Sequence, residues 1–135
     1  MISTRGRYAL RVLIDMAEHT DNGYVPMKEI AERQQISKKY MEQIMPVLVK
    51  NKLVEGVHGA KGGYRLTKTP DCYTVYEILR LTELDLAPVA CLEDDAEPCN
   101  LHADCRTFHM WSKFDQLTKD YFCSVKLSDL MRHDV

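Results

Sequence analysis

Three cysteines, Cys91, Cys99 and Cys105, stand with seven and then five residues between them. The surrounding stretch, residues 85–104, also holds Pro88, Pro98 and the carboxylates of Glu93, Asp94, Asp95 and Glu97, a composition that predicts a loop. A loop lets several side chains converge without deforming a helix or strand. Thiolates are soft ligands, so three in such a loop suit an iron–sulfur cluster or zinc, with His109 or His102 as candidates for a fourth position. Unligated thiols are the plainer alternative. Cys72 and Cys123 lie outside the group and read as small buried hydrophobes. Five cysteines, an odd number in a chain with no secretion signal, make a poor disulfide framework. A catalytic thiolate would need a base oriented beside it. No third orienting residue or substrate-binding motif accompanies the two histidines, so an enzyme is the remote reading.

A second group of polar residues lies far upstream. Ser37, Lys38, Lys39, Tyr40 and Gln43 open an apolar-periodic segment and can donate to phosphates or base edges. Glu42 repels a polyanion there, unless it accepts from a cytosine amine. An ordinary solvated helix face is the competing reading. Farther on, Gly59-Ala60-Lys61-Gly62-Gly63 is a small-residue tip whose backbone can approach a groove wall, with His58 and Lys61 as polar ends; it reads equally as a tight turn. It is not a nucleotide-binding loop, because it leads into a second strand-like run rather than a helix. Charge supports a polyanion partner for this half alone: the net −2 conceals 12 basic and 7 acidic residues in 1–70, against 6 and 13 in 71–135.

The elements that must position these groups follow from periodicity. From Thr4 to about Glu18, Tyr8, Leu10, Val12, Leu13, Met16 and Ala17 fit an amphipathic helix capped by Ser3 or Thr4 and ended at Asp21-Asn22-Gly23. Pro26 is placed to start a second helix with Met27, Ile30 and Ala31 on its apolar side, and Gln34-Gln35-Ile36 is the turn after it. Ser37 then caps a third helix reaching residue 50, with Met41, Ile44 and Leu48 facing inward and a bend expected from Pro46. Strand-like runs at residues 53–58 and 64–66 flank the glycines as a hairpin. Thr74-Val75-Tyr76-Glu77 matches a capping box before a fourth helix to about Thr82. Beyond the loop, Phe108, Met110, Trp111, Phe114, Leu117, Tyr121 and Phe122 predict a long helix too apolar to stand exposed alone, and residues 127–131 a short last one.

The expected fold class is mostly α with a small β-hairpin. A winged helix-turn-helix fills residues 1–70, and the cysteine loop and long C-terminal dimerisation helix fill 71–135, as one compact domain with an extension. No segment approaches the roughly 20 apolar residues of a bilayer span, and the start lacks an apolar run, so the expectation is a cytoplasmic protein with no membrane partner.

The segments Ser3-Thr4-Arg5-Gly6-Arg7-Tyr8-Ala9-Leu10, Tyr40-Met41-Glu42-Gln43-Ile44 and Gly59-Ala60-Lys61-Gly62-Gly63-Tyr64-Arg65-Leu66 resemble the iron–sulfur winged-helix transcriptional regulators of the IscR and NsrR type. The likeness extends over nearly the whole chain. It implies a homodimer whose long helix, from about residue 105 to 122, crosses its partner's. It also implies a palindromic double-stranded DNA operator and a 2Fe–2S or 4Fe–4S cluster that tunes affinity for it. The resemblance carries base reading onto Ser37, Tyr40, Glu42 and Gln43, and the wing onto residues 58–62, with His58, Lys61 and Gly62; Arg5, Arg7, Lys38 and Lys39 complete the expected DNA-binding set. Cluster ligands would be Cys91, Cys99, Cys105 and His109, with His102 the alternative. Three departures stand out. The first cysteine gap is longer than in better-known members, Phe108 stands where the family's histidine ligand falls, and His58 stands where a wing arginine is common. The function implied is a DNA-binding regulator whose cluster answers to oxidants, nitric oxide or iron supply. A regulator of the same fold sensing through a small ligand, a partner protein or thiol oxidation is the alternative.

Overall fold

The structure, a computed structural model, describes residues 1–19 and 23–131. Asp21 and Asn22, expected to help end the first helix, lie outside the described residues. The order is α1 (Thr4–Glu18), α2 (Met27–Gln34), α3 (Lys38–Lys50), β1 (Val54–Val57), β2 (Gly63–Leu66), α4 (Val75–Thr82), α5 (Phe108–Ser124) and α6 (Leu127–Leu130).

Helix α1 is the post on which the rest hangs, in contact with α2, α3, α4, α6 and β2. The Ser3 hydroxyl caps it by accepting from the Gly6 amide at 3.0 Å, and Ser3 donates through its own amide (2.9 Å) and hydroxyl (2.8 Å) to the Glu83 carboxylate beyond α4. Gly6 suits this approach, because a Cβ there would press on the Glu83 carboxylate and crowd Thr82. Ala9, Val12, Leu13 and Met16 form the buried stripe of α1 and meet Met41, Ile44 and Leu48 of α3, which face inward as expected.

Asp15, 1% exposed, lies on the same buried side. Its carboxylate accepts from Arg33 Nε (2.9 Å), Arg33 Nη2 (2.7 Å) and Gln34 Nε2 (3.0 Å), which ties α2 to α1. Burial alone would raise the Asp15 carboxyl, but the bonds from Arg33 and Gln34 and the Arg33 charge outweigh it and hold it below its ordinary value. Gln35 then turns the chain in the left-handed region (φ 55°), Ile36 donates to the Ala31 carbonyl at 3.0 Å, and the Ser37 hydroxyl accepts from Tyr40 to start α3. Helix α3 continues through Pro46 to Lys50.

The hairpin is antiparallel, with Val54 opposite Leu66 and Val57 opposite Gly63. Val25 joins it as a one-residue third strand, exchanging bonds of 2.7 and 2.8 Å with Tyr64. Gly63 permits this, since a Cβ there would meet the Val25 carbonyl carbon at 2.5 Å. The Thr74 hydroxyl caps α4 by accepting from the Glu77 amide at 3.1 Å.

Three expectations need correction. Cys72 and Cys123 are exposed rather than buried. Cys72 closes a 3-10 turn that directs the next residue, Tyr73, into the core, while Cys123 lies on the outer side of α5, whose buried residue is Asp115. The loop holds two single 3-10 turns, Ala90–Leu92 and His102–Asp104, which end where the chain becomes extended at Glu93 and Cys105. The long helix begins at Phe108, not 105, because Cys105 is extended and Thr107 is the N-cap.

The Asp15 pair gives a testable consequence. Arg33→Ala leaves a buried carboxylate uncompensated and lowers folding stability by about 3 kcal/mol, measured by urea unfolding at neutral pH. Because Asp15 sits lower when folded than unfolded, its contribution is present above the unfolded carboxyl value and disappears as pH falls through the folded one. The stability curve of Asp15→Asn is therefore flatter on the acid side than that of the parent.

Candidate nucleic-acid interface and cysteine loop

The first turns of α3 present Lys38, Lys39, Tyr40, Glu42 and Gln43 to solvent, all exposed. Ser37 is exposed as well, with its hydroxyl committed to the cap on Tyr40. Lys38 Nζ lies 3.9 Å from the Glu42 carboxylate, an i to i+4 pair that offsets part of the negative charge on this face. The Tyr40 ring meets the Tyr8 ring edge-on at 5.3 Å, and Arg11 places its guanidinium 5.2 Å from Tyr8 while donating to the Gln34 carbonyl at the end of α2. Tyr8 and Arg11 thus position Tyr40 and the α2 terminus. Periodicity alone makes Tyr8 an apolar stripe residue; the pairing of an aromatic and an arginine at i and i+3 is the signal that points to its further role.

Arg5 and Arg7, both exposed, already have partners within the chain. Arg5 Nη2 donates to the Thr82 carbonyl at 2.7 Å, satisfying the end of α4, and Arg7 Nη2 donates to the Thr4 hydroxyl at 3.0 Å. At the hairpin tip Gly62 donates to the Gly59 carbonyl at 2.9 Å, so the tip is a tight turn and at the same time displays His58 and Lys61 outward. Below it, Arg65 pairs with Glu55 and stands 4.7 Å from the Tyr24 ring centre.

Each thiol has its own local surroundings on the loop. Cys91 is exposed in the turn Ala90–Leu92, the Cys99 sulfur accepts from the Leu101 amide at 3.4 Å, and the Cys105 sulfur is 3.5 Å from the Thr107 hydroxyl. The Thr107 hydroxyl and the amides of Thr107 and Phe108, at the start of α5, hold the Cys105 thiol below its ordinary value. The Phe108 ring contacts both candidate histidines edge-on, His102 at 4.4 Å and His109 at 5.8 Å between ring centres. Among the described residues, no three histidines, cysteines or acids come together as a metal site. The donor set fits an iron–sulfur cluster by chemistry, three thiolates on a segment free of core contacts, and the loop has to close for them to share one.

Comparison with known proteins decides the broad class. The family described as Rrf2, iron-dependent transcriptional regulator, matches residues 2–133. The chain belongs to the Rrf2 family. It is 35% identical to the HTH-type transcriptional regulator CymR of Bacillus subtilis over 96% of this chain and 88% of that protein. With IscR of Erwinia tasmaniensis the identity is 32%, over 98% of this chain and 79% of the relative. Among solved structures, CymR, the global cysteine regulator of B. subtilis, superimposes with a TM-score of 0.78 at 33% identity, covering 96% of this chain and 95% of that one. IscR of T. potens gives 0.76 at 33% identity, covering 96% and 85%. The winged-helix fold class is thereby established, and these relatives are named as regulators, not enzymes. This Rrf2 protein is a transcriptional regulator of a DNA-binding family, and no helix among its described residues is long and apolar enough to cross a membrane.

The Cys105 environment gives the next expected outcome. In reduced, metal-free protein, iodoacetamide labelling of Cys105 followed by peptide mass spectrometry sets in at lower pH than in Thr107→Val, which removes the largest of the stabilising contacts. Identical labelling profiles would show that the hydroxyl does not govern the thiol.

Proposed function

We propose that this Rrf2 protein is a dimeric, cytoplasmic regulator that grips a palindromic DNA operator through α3 and the wing, with its affinity set by an iron–sulfur cluster on Cys91, Cys99 and Cys105. The observation that carries the DNA reading is the exposed donor face of α3, held by the Ser37 cap at one end and by buried Met41, Ile44 and Leu48 behind. Lys38 and Lys39 serve phosphates, while Tyr40 and Gln43 address base edges. Glu42, partly neutralised by Lys38, can accept from a cytosine amine. Lys61, His58 and the Gly62 turn suit contact with the groove beside it.

Dimerisation is supported by α5, which leaves Met110, Phe114, Leu117 and Tyr121 between 52% and 65% exposed along one side. These residues are spaced four, three and four apart, a stripe that a second α5 buries. When bound, an iron–sulfur cluster supplies a redox-sensitive tie among the three cysteine positions of the loop. Cys105 is prepared for that role as a thiol biased toward thiolate, and His109 or His102 offers a fourth ligand. A cluster that changes operator affinity has its own affinity changed by DNA by the same factor. The same lowered Cys105 thiol favours a second reading, direct thiol oxidation without a cluster.

Two experiments test these readings. Lys39→Ala weakens binding to every duplex and reduces the salt slope by about one, whereas Gln43→Ala costs about 1–3 kcal/mol at the preferred base and relaxes specificity there. A double variant that binds duplexes like the parent would remove α3 from the interface. Anaerobic native mass spectrometry of the purified protein shows a dimer carrying iron and sulfide; a protein that remains free of both after reconstitution removes the cluster from the mechanism.

A further inference from the structure

The loop that carries the thiols also carries charge, and that charge stands beside the DNA-reading helix. An open cleft is lined by Tyr40 and Gln43 from α3, by Arg5 from α1, and by Asp85, Glu93 and Asp95 from the loop. The acidic end of the loop is tied down. Arg80 of α4 donates to Asp94 at 2.6 Å, and Asp85 accepts from the amides of Asp94 (3.0 Å) and Ala87 (2.8 Å). Asp85 and Asp94 are thus neutralised by Arg80 or occupied with amides, while Glu93 and Asp95 are exposed and form no ion pair among the described residues. Two carboxylates with no ion-pair partner among the described residues therefore share a cleft with Arg5 and with the two side chains assigned to base edges.

Duplex DNA carries one negative charge per about 1.7 Å, and exposed charges act over about 10 Å at moderate salt, so a duplex seated on Tyr40 and Gln43 brings several phosphates within range. Cys91 lies two residues before Glu93, and Cys99 four after Asp95. Chemistry that ties these thiols to each other constrains the segment between them, which holds both carboxylates.

We propose that the acidic cysteine loop is an electrostatic brake: with the thiols unbridged, Glu93 and Asp95 hold negative charge beside Tyr40 and Gln43 and lower affinity for duplex DNA, and tying Cys91 to Cys99 withdraws it. The proposal rests on the DNA-binding reading above and gives the loop's sequence a role apart from its sulfur atoms.

The test uses full-length, reduced, metal-free protein and a fluorescent mixed-sequence duplex of about 30 base pairs. Glu93→Gln with Asp95→Asn tightens binding about five-fold or more at low salt, and the gain fades as salt shortens the range of exposed charges. Glu97→Gln with Asp120→Asn removes the same charge from exposed carboxylates that do not line the cleft and changes affinity less than about two-fold. The expected result is a gain in affinity, which misfolding cannot mimic. Equal tightening in both pairs, or none in either, overturns the proposal. A second arm bridges Cys91 and Cys99 with dibromobimane in a background where Cys72, Cys105 and Cys123 are replaced by serine. Bridging tightens binding of the protein with Glu93 and Asp95 intact and adds nothing once both are neutralised; tightening in neither case overturns the withdrawal step. If no variant binds any duplex, the DNA-binding reading itself has failed and the brake with it.

Discussion

The placement of the exposed polar face of α3 depends on one buried carboxylate. Helix α2 is eight residues long and its buried residue is Ile30, too little apolar burial to fix a helix in place. The Asp15 bonds to Arg33 and Gln34 supply the missing constraint, and Arg11 adds a bond to the Gln34 carbonyl at the same end. A buried ion pair contributes little net stability over an apolar contact of the same shape, but it is directional, and a misplaced α2 would strand the charge. That direction passes to Gln35, whose left-handed turn sends Ile36 into the core and leaves Ser37 to cap α3. Without the carboxylate, the exposed donors of α3 keep their identity and lose their bearing.

A second constraint joins the two halves of the chain. Tyr73 is fully buried, and its hydroxyl donates to the Leu53 carbonyl at 2.6 Å while accepting from the Thr67 and Lys68 amides at 3.0 and 3.1 Å. It closes the base of the hairpin from below. The Tyr73 carbonyl in turn accepts from the Leu127 amide at 3.0 Å, and the Val75 amide donates to the Val125 carbonyl at 2.9 Å. The exit of α5 and the root of the wing are thus bonded to the same three-residue segment. A shift of α5 is therefore felt at the hairpin unless those bonds give, which gives a physical route between α5 and the hairpin.

The elements legible in the sequence are those whose signal is local. Ser3, Ser37 and Thr74 announce caps, and the inward residues of α3 recur at helical spacing, so these helices fall where periodicity places them. The hairpin is legible from its glycines, but not the Val25 strand, because one residue carries no pattern. Cys72 and Cys123 depart from expectation for an instructive reason. Cysteine's preference for burial is an average, and here the adjacent Tyr73 fills the core while α5 turns most of its surface outward. The exposed polar face of α3 is legible in the sequence, yet the contacts around it, Tyr8 on Tyr40 and Arg5 on the α4 carboxyl end, join positions far apart along the chain and need the fold.

The placement of the thiols outside the core has its own logic. From residue 83 to 105 no described residue is fully buried, so the loop contributes little to the hydrophobic cluster built from α1, α3, Tyr73, Ile78 and Leu127. A segment with few buried contacts is redrawn at small free-energy cost, whereas the same rearrangement inside the core would have to overcome the packing of Leu13, Ile44 and Leu48. In the sensing role proposed above, that asymmetry matters: the energy of ligand chemistry at the cysteines would be limited, and it would reach DNA affinity only if little of it were consumed in disturbing the scaffold. Arg80 and Asp85 anchor the loop at its acidic end, so a rearrangement of the loop is opposed by a few exposed polar bonds that water can replace, not by the core.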